Sequence, residues 1–338
     1  MLNRTFFRTR PFAFAAQFAA AAGCVALATT PVQAQPTTLN KTAKLVVGFT
    51  PGGSADLVAR TLAQNMAGYA PALIVDNKLG AGGRIALETV KLGETDGSNL
   101  AVTPASMVVL YPHIYKKLSY DPQADFTPVA MVASFSFVLI VGQMVPASVT
   151  NVSESLQWCK ANPKKAAYAS PGAGSIPHFV GSALDRASGV SLTHVAYKGG
   201  ALAMTDVIGG QIAANIAVIS NALPMLQAGK IRALAVTGKA RTAQLPNVPT
   251  LAESGFKELV ASEWFGVFAR SKTPPDVVAK LNGAVLQAMQ TTAMRDVLAK
   301  ASFELAAANT PAEFATMMKA DRERWAAIVK NAGFTPED

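Results

Sequence analysis

Cysteine and histidine are nearly missing from this chain, which has two Cys and three His in 338 residues. Cys24 falls in an N-terminal stretch that reads as a leader, so Cys159 is left with no internal disulfide partner and the mature chain depends on its core for stability. The simplest role for Cys159 is a small apolar side chain on a helix, ahead of a reactive thiol. His113, His178 and His194 stand at no i, i+3 or i+4 spacing from one another, which removes a helical zinc pair. No metal ligand and no cofactor is expected. A Gly-x-Ser-x-Gly elbow and paired carboxylates beside a candidate base are also lacking, so no catalytic residue is assigned and the chain is not read as an enzyme. Beyond the leader no stretch offers about 18 uninterrupted apolar residues, the length a spanning helix needs. No run of Lys/Arg is interleaved with aromatics, which argues against a nucleic-acid partner.

The leader itself has a definite pattern. Arg4, Arg8 and Arg10 precede an apolar Ala/Phe stretch over residues 12–28, and Pro31-Val32-Gln33-Ala34 supplies a small-residue exit. That order predicts a secretory signal peptide over residues 1–34 and an exported mature protein. A lipid anchor on Cys24 fits less well, because Val32-Gln33-Ala34 is the better exit and the residue three before Cys24 is alanine. Removing the three leader arginines lowers the formal net charge from +9 to +6. The mildly cationic remainder favours anionic ligands. About 300 mature residues exceed one comfortable core, so two domains are expected.

Apolar β-rich runs alternate with helical periodicity, which predicts βαβ units and parallel sheets. Strands are expected at residues 44–49, 72–77, 100–103, 135–141, 166–170, 193–197, 212–218, 232–237 and 264–269. Thr310-Pro311-Ala312-Glu313 predicts a capped final helix whose core stripe is Phe314, Met318, Trp325 and Ile328, with Gly333 as its stop.

One supersecondary unit occurs twice. The strand at 44–49 leads through Thr50-Pro51-Gly52-Gly53-Ser54 into a helix, and the strand at 166–170 leads through Pro171-Gly172-Ala173-Gly174-Ser175 into another. Glycine permits positive φ and close backbone approach, Ser54 or Ser175 can cap a helix, and free N–H groups at a helix start favour an anion. Neither loop carries a Gly-Lys-Ser/Thr ending or a Gly-x-Gly-x-x-Gly pattern, so a nucleotide is disfavoured and a small carboxylate fits better. Either loop alone could be an ordinary tight turn. Their pairing, with a third cluster at Gly80-Ala81-Gly82-Gly83, favours the functional reading. His178 can brace its loop or touch the ligand. Asp56, in the first turn after the first loop, complements the helix dipole and is expected to point away from a bound anion.

The motifs at residues 46–56, 76–83, 120–129, 197–200 and 249–256 together resemble the substrate-binding proteins of tripartite tricarboxylate transporters, the Bug family. The resemblance implies a periplasmic Venus flytrap, type II-like, of two α/β lobes with a mixed, mostly parallel sheet in each. It implies lobe 1 over residues 35–140 plus 265–338, lobe 2 over 141–264, and chain crossings near 138–144 and 262–268. Carried across, the ligand-binding residues would be Phe49, Pro51, Gly52, Gly53 and Ser54 from the first loop, then Thr103, Ala105 and Ser106. The second lobe would add Ser170, Gly172, Gly174, Ser175 and His178, with Tyr197, Lys198 and Gly199 closing over the ligand. Lys198 could instead be a surface or bracing residue. Residues 209–215 lack the acid common in this family, which disfavours an amino-acid ligand. The implied role is capture of a small organic carboxylate (mono-, di- or tricarboxylate, including aromatic acids) by a monomer that delivers it to integral membrane transporter subunits. The same fold could instead present the ligand to a membrane signalling receptor.

Overall fold

The computed structural model describes residues 38–331 together with Phe334 and Pro336. The leader with Cys24 and Ala34, and the expected stop at Gly333, lie outside the described residues. In chain order the elements are β1 (Ala43–Val47), α1 (Ser54–Asn65), β2 (Leu73–Asn77), α2 (Arg84–Lys91), β3 (Asn99–Pro104), α3 (Tyr111–Ile114), β4 (Phe126–Val141) and α4 (Val152–Ala161). There follow β5 (Ala167–Ser170), α5 (Ile176–Ser188), β6 (Thr193–Ala196), α6 (Gly200–Ile208), β7 (Ala214–Val218), α7 (Ile219–Gln227) and β8 (Arg232–Val236). The chain returns through β9 (Ser262–Arg270), α8 (Pro275–Gln290), α9 (Thr292–Lys300), β10 (Phe303–Leu305) and α10 (Pro311–Asn331).

The strands run β2-β1-β3-β9-β4-β7-β5-β6, with β8 and β10 also on β4. The βαβ units put parallel pairs on the two flanks, β2-β1-β3 and β7-β5-β6. Around β4 and β9 the pairing is antiparallel. β4 changes partners along its length: Ser136 faces Ser262 of β9, whereas Phe137 faces Val218 of β7. Thr237, fully buried, ties the two chain crossings there, because its Oγ1 accepts from Phe137 N at 3.0 Å and donates to Ala261 O at 2.6 Å.

The larger apolar core runs from the first half into the second, where Tyr168, Phe179 and Leu184 join it. It is anchored by Phe135 stacked on Phe265, ring centroids 4.5 Å apart, and a second cluster gathers Val138, Ile140, Ala169, Val207 and Ala217. Full burial of each such large side chain is worth about 1.5–3 kcal/mol. The first half of β4 and the short β10 escape the sequence pattern. Pro128 breaks strand propensity, and the ladder tolerates it through a register shift between Pro128 and Ala130.

The last helix has its capping box: Thr310 N donates to Glu313 Oε2 at 2.8 Å, and Glu313 N donates to Thr310 Oγ1 at 3.2 Å. Phe314, Met318 and Trp325 are buried as expected, but Ile328 is exposed and Val329 takes the core position. From Trp325, four residues on a 3.6-residue period returns closer to the same face than three do.

Candidate functional site

A cavity of about 70 Å³ lies where the two halves of the sheet meet, and its lining comes from both. Of the residues singled out in the sequence, Phe49, Gly53, Ser54, Ser106, Gly172 and Ser175 line it.

The first-loop arrangement depends on Asp56. Its carboxylate, 2 % exposed, accepts from Gly52 N at 2.9 Å, Asn77 Nδ2 at 2.9 Å and Arg60 Nε at 2.8 Å. Asn77 Nδ2 also donates to Phe49 O at 3.0 Å, so β2 holds the entry to the loop. Burial pushes the Asp56 carboxyl up, but the bonds from Arg60, Gly52 and Asn77 outweigh it and hold the carboxyl below its ordinary value. Gly52 and Pro51 therefore turn outward, lining a surface concavity with Asp56 and Arg60 instead of the cavity. Gly53 is left as the N-cap of α1, in extended conformation with no side-chain cap. The first N–H groups of α1, beginning at Ser54, have no intrahelical acceptor and sit at the cavity wall.

The second-lobe contribution differs from the one the near-repeat suggests. The start of α5 is already capped, since Ser175 Oγ accepts from His178 N at 3.4 Å. The uncapped start is that of α6, whose N-cap is Gly199 and whose first residues Gly200 and Ala201 line the cavity. At Gly199 φ is +118°, a backbone that side chains resist, and this aims the helix start inward. The loop before it is pinned by Gly199 N donating to Pro171 O at 2.9 Å.

The other expected residues hold the walls. Thr103 Oγ1 is buried against Met107 Sδ at 2.8 Å, and Ala105 is buried behind Ser106. Gly174, at φ +69°, lies so close to Ile114 that a Cβ would stand 1.9 Å from its Cδ1. His178 accepts from Gly174 N through Nδ1 at 3.0 Å and stacks on His194 at 3.7 Å. Burial pushes its imidazole down to about 4. His178 thus braces the loop and does not line the cavity. Tyr197 donates to Asp206 at 2.7 Å, and Lys198 is exposed and off the cavity lining. The third glycine cluster is packing: a Cβ on Gly48 would stand 2.5 Å from Gly83 Cα.

Several lining residues were missed. Asn215 is fully buried, and Asn221 meets Ser54 across the junction, with Ser54 Oγ 3.1 Å from Asn221 Oδ1 and 2.9 Å from Ser220 Oγ. Glu263 accepts from Ser106 N at 2.8 Å, and burial pushes its carboxyl up to about 7. Asn215 is the single polar residue of an apolar strand, which is the one sequence signal that could have marked it, whereas Glu263 follows Ser262 at the edge of β9 and carries no such mark. The unfolded Glu263 carboxyl ionises near 4.5 and the folded one near 7, so its contribution to stability is full below 4.5 and is lost as pH rises through 7. Glu263→Gln is accordingly expected to raise stability at pH 8 by about 3 kcal/mol and by much less at pH 4, as read by urea melts at the two pH values.

Among the described residues a hydroxyl–imidazole pair occurs, Ser170 Oγ to His194 Nε2 at 2.7 Å. Ser170 is fully buried, its hydroxyl also reaches Gly172 O at 2.9 Å, and neither residue lines the cavity. Cys159 is a buried free thiol on α4. Among the described residues no helix is long and apolar enough to cross a membrane.

The chain matches the family model described as "Tripartite tricarboxylate transporter family receptor" over residues 58–334. It belongs to that family. It is 31% identical to Protein BugT of Bordetella pertussis over 292 residues, 86% of this chain and 89% of BugT. It is 35% identical to a protein in the gbd 5′ region of Cupriavidus necator over 297 residues, 87% of this chain and 89% of the relative. Its fold is similar to that of the periplasmic binding protein BugD, with TM-score 0.83 and 30% identity over 88% of this chain and 100% of that one. It is also similar to Rhodopseudomonas palustris MatC with bound malate, with TM-score 0.79 and 30% identity over 86% of this chain and 99% of that one. The R. palustris protein Rpa4515 with adipate gives TM-score 0.82 and 30% identity over 88% and 99%. The family chain is thus a two-lobed α/β periplasmic solute-binding protein.

Proposed function

We propose that this protein captures a small organic carboxylate in the cavity and hands it to an integral membrane transporter, acting as an exported monomer with no catalytic step. The observation that carries the reading is the convergence of two uncapped helix starts, α1 at Ser54 and α6 at Gly200, on one cavity from opposite halves of the sheet. Unpaired N–H groups and the positive ends of two helix dipoles favour an anion, and a carboxylate is small enough to use both. The adipate and malate bound in two relatives support the same ligand class.

We place the lobes at residues 35–140 plus 265–338 and at 141–264, with the partner change at Ser136/Phe137 and the Thr237 tie drawing each boundary a few residues toward the hinge. Ser54 joined to Ser220 and Asn221 corresponds to the closed form, in which lobe closure buries the ligand. Calorimetry against mono-, di- and tricarboxylates and a neutral sugar tests the proposal. Binding of at least one acid with no response to the sugar is expected; binding of the sugar alone would overturn it.

A further inference from the structure

The cavity lining contains no Lys, Arg or His. Its polar side chains are mostly committed to the protein. Ser54 bridges to Ser220 and Asn221, Ser175 Oγ donates to Gly172 O at 2.7 Å, Tyr111 OH donates to Gly82 O at 2.9 Å, and Glu263 accepts from Ser106. Among the buried ones Asn215 is the exception. It is fully buried, it lines the cavity, and neither its Nδ2 nor its Oδ1 has a hydrogen-bond partner. An amide left unpaired in an apolar setting is costly, and a site that keeps one discriminates strongly for ligands that complete it. Around it the walls are aromatic, with Phe49, Phe135, Phe137 and Phe265 among the lining residues. A second carboxylate would enter this space with no cation to meet it and with the Glu263 carboxyl nearby, whereas a neutral group with both a donor and an acceptor would satisfy both ends of the Asn215 amide.

We propose that Asn215 is the specificity-determining residue of the cavity and that the preferred ligand is a monocarboxylate whose flat apolar body ends in a neutral donor–acceptor group, a carboxamide or phenol, in place of a second carboxylate. This rests on the carboxylate reading above and specifies the far end of the same ligand.

Titration calorimetry of the wild-type protein with benzoate, 4-hydroxybenzoate, 4-carbamoylbenzoate, terephthalate and terephthalamide, together with adipate and its monoamide, is the test. A monoamide or phenol is expected to bind at least about tenfold tighter than both the unsubstituted acid and the diacid of the same skeleton. In Asn215→Leu that preference is expected to vanish, while the ligand-free protein melts a few degrees higher because the unpaired amide is gone. A diacid that binds as tightly as its monoamide, or a preference unchanged in Asn215→Leu, would overturn the inference and leave the carboxylate reading standing. Terephthalamide binding as well as the acids, or no acid binding at all, would remove the carboxylate reading and this inference with it. The wild-type ratios decide the matter even if the variant does not fold.

Discussion

Ser54→Pro is expected to weaken ligand binding about a hundredfold, against about fivefold for Ser54→Ala. Ser54 is the first residue of α1, where proline is tolerated because the N–H has no intrahelical partner and φ is already near the proline value. Gly53 before it has φ −76° and ψ 172°, a conformation that suits the residue preceding a proline. Both variants lose the hydroxyl that meets Ser220 and Asn221, so both weaken closure to the same degree. Only proline also removes a main-chain donor at the cavity wall. A hydrogen bond to a charged acceptor is worth roughly 1.5–3 kcal/mol, or about ten- to a hundredfold in affinity. Calorimetry with the tightest carboxylate, alongside circular dichroism to confirm the fold, reads the difference. Equal affinities for the two variants would show that the α1 amide does not hold the ligand.

Asp56→Ala should lower stability by about 3 kcal/mol, a fall in Tm of about 6 °C, and should abolish most binding at 25 °C through disorder of the first loop. The carboxylate takes three hydrogen bonds, and its removal leaves Gly52 N and one Asn77 N–H without a protein acceptor, while the other Asn77 N–H stays on Phe49 O. Asp56→Asn keeps an acceptor and should lose only about half as much. Since the folded pKa of Asp56 lies below 3.8, the wild-type advantage over Asp56→Asn is full above that pH and fades as pH falls through the folded value. Thermal melts at pH 7 and pH 3 check both the size and the direction. An alanine variant as stable as wild type would show that the loop is held by other means.

The two residues illustrate what was readable in advance. Asp56 stands in the first turn of α1, and its direction away from the cavity followed from the helix dipole and the glycine loop before it. The second helix start could not be reached that way. Residues 171–175 look more like an anion loop than residues 198–201, yet the Gly172, Gly174 and Ser175 amides are taken by Ser170 Oγ, His178 Nδ1 and Gly172 O. Whether an N–H is free depends on which nearby side chain caps it, and that is decided by φ/ψ and rotamer, not by residue type.

Element order, the α/β class, the repeated strand–glycine loop–helix unit and the family resemblance were all local properties of the sequence. They depend on hydrophobic period, turn chemistry and short motifs, which act between residues close along the chain. The tertiary structure alone decided that β4 changes partner between Ser136 and Phe137, that α6 rather than α5 offers its amides, and that Asn215 and Glu263 line the cavity. Those facts arise from pairings between residues as far apart as Ser106 and Glu263, where burial and hydrogen-bond partners are set by the packed chain as a whole.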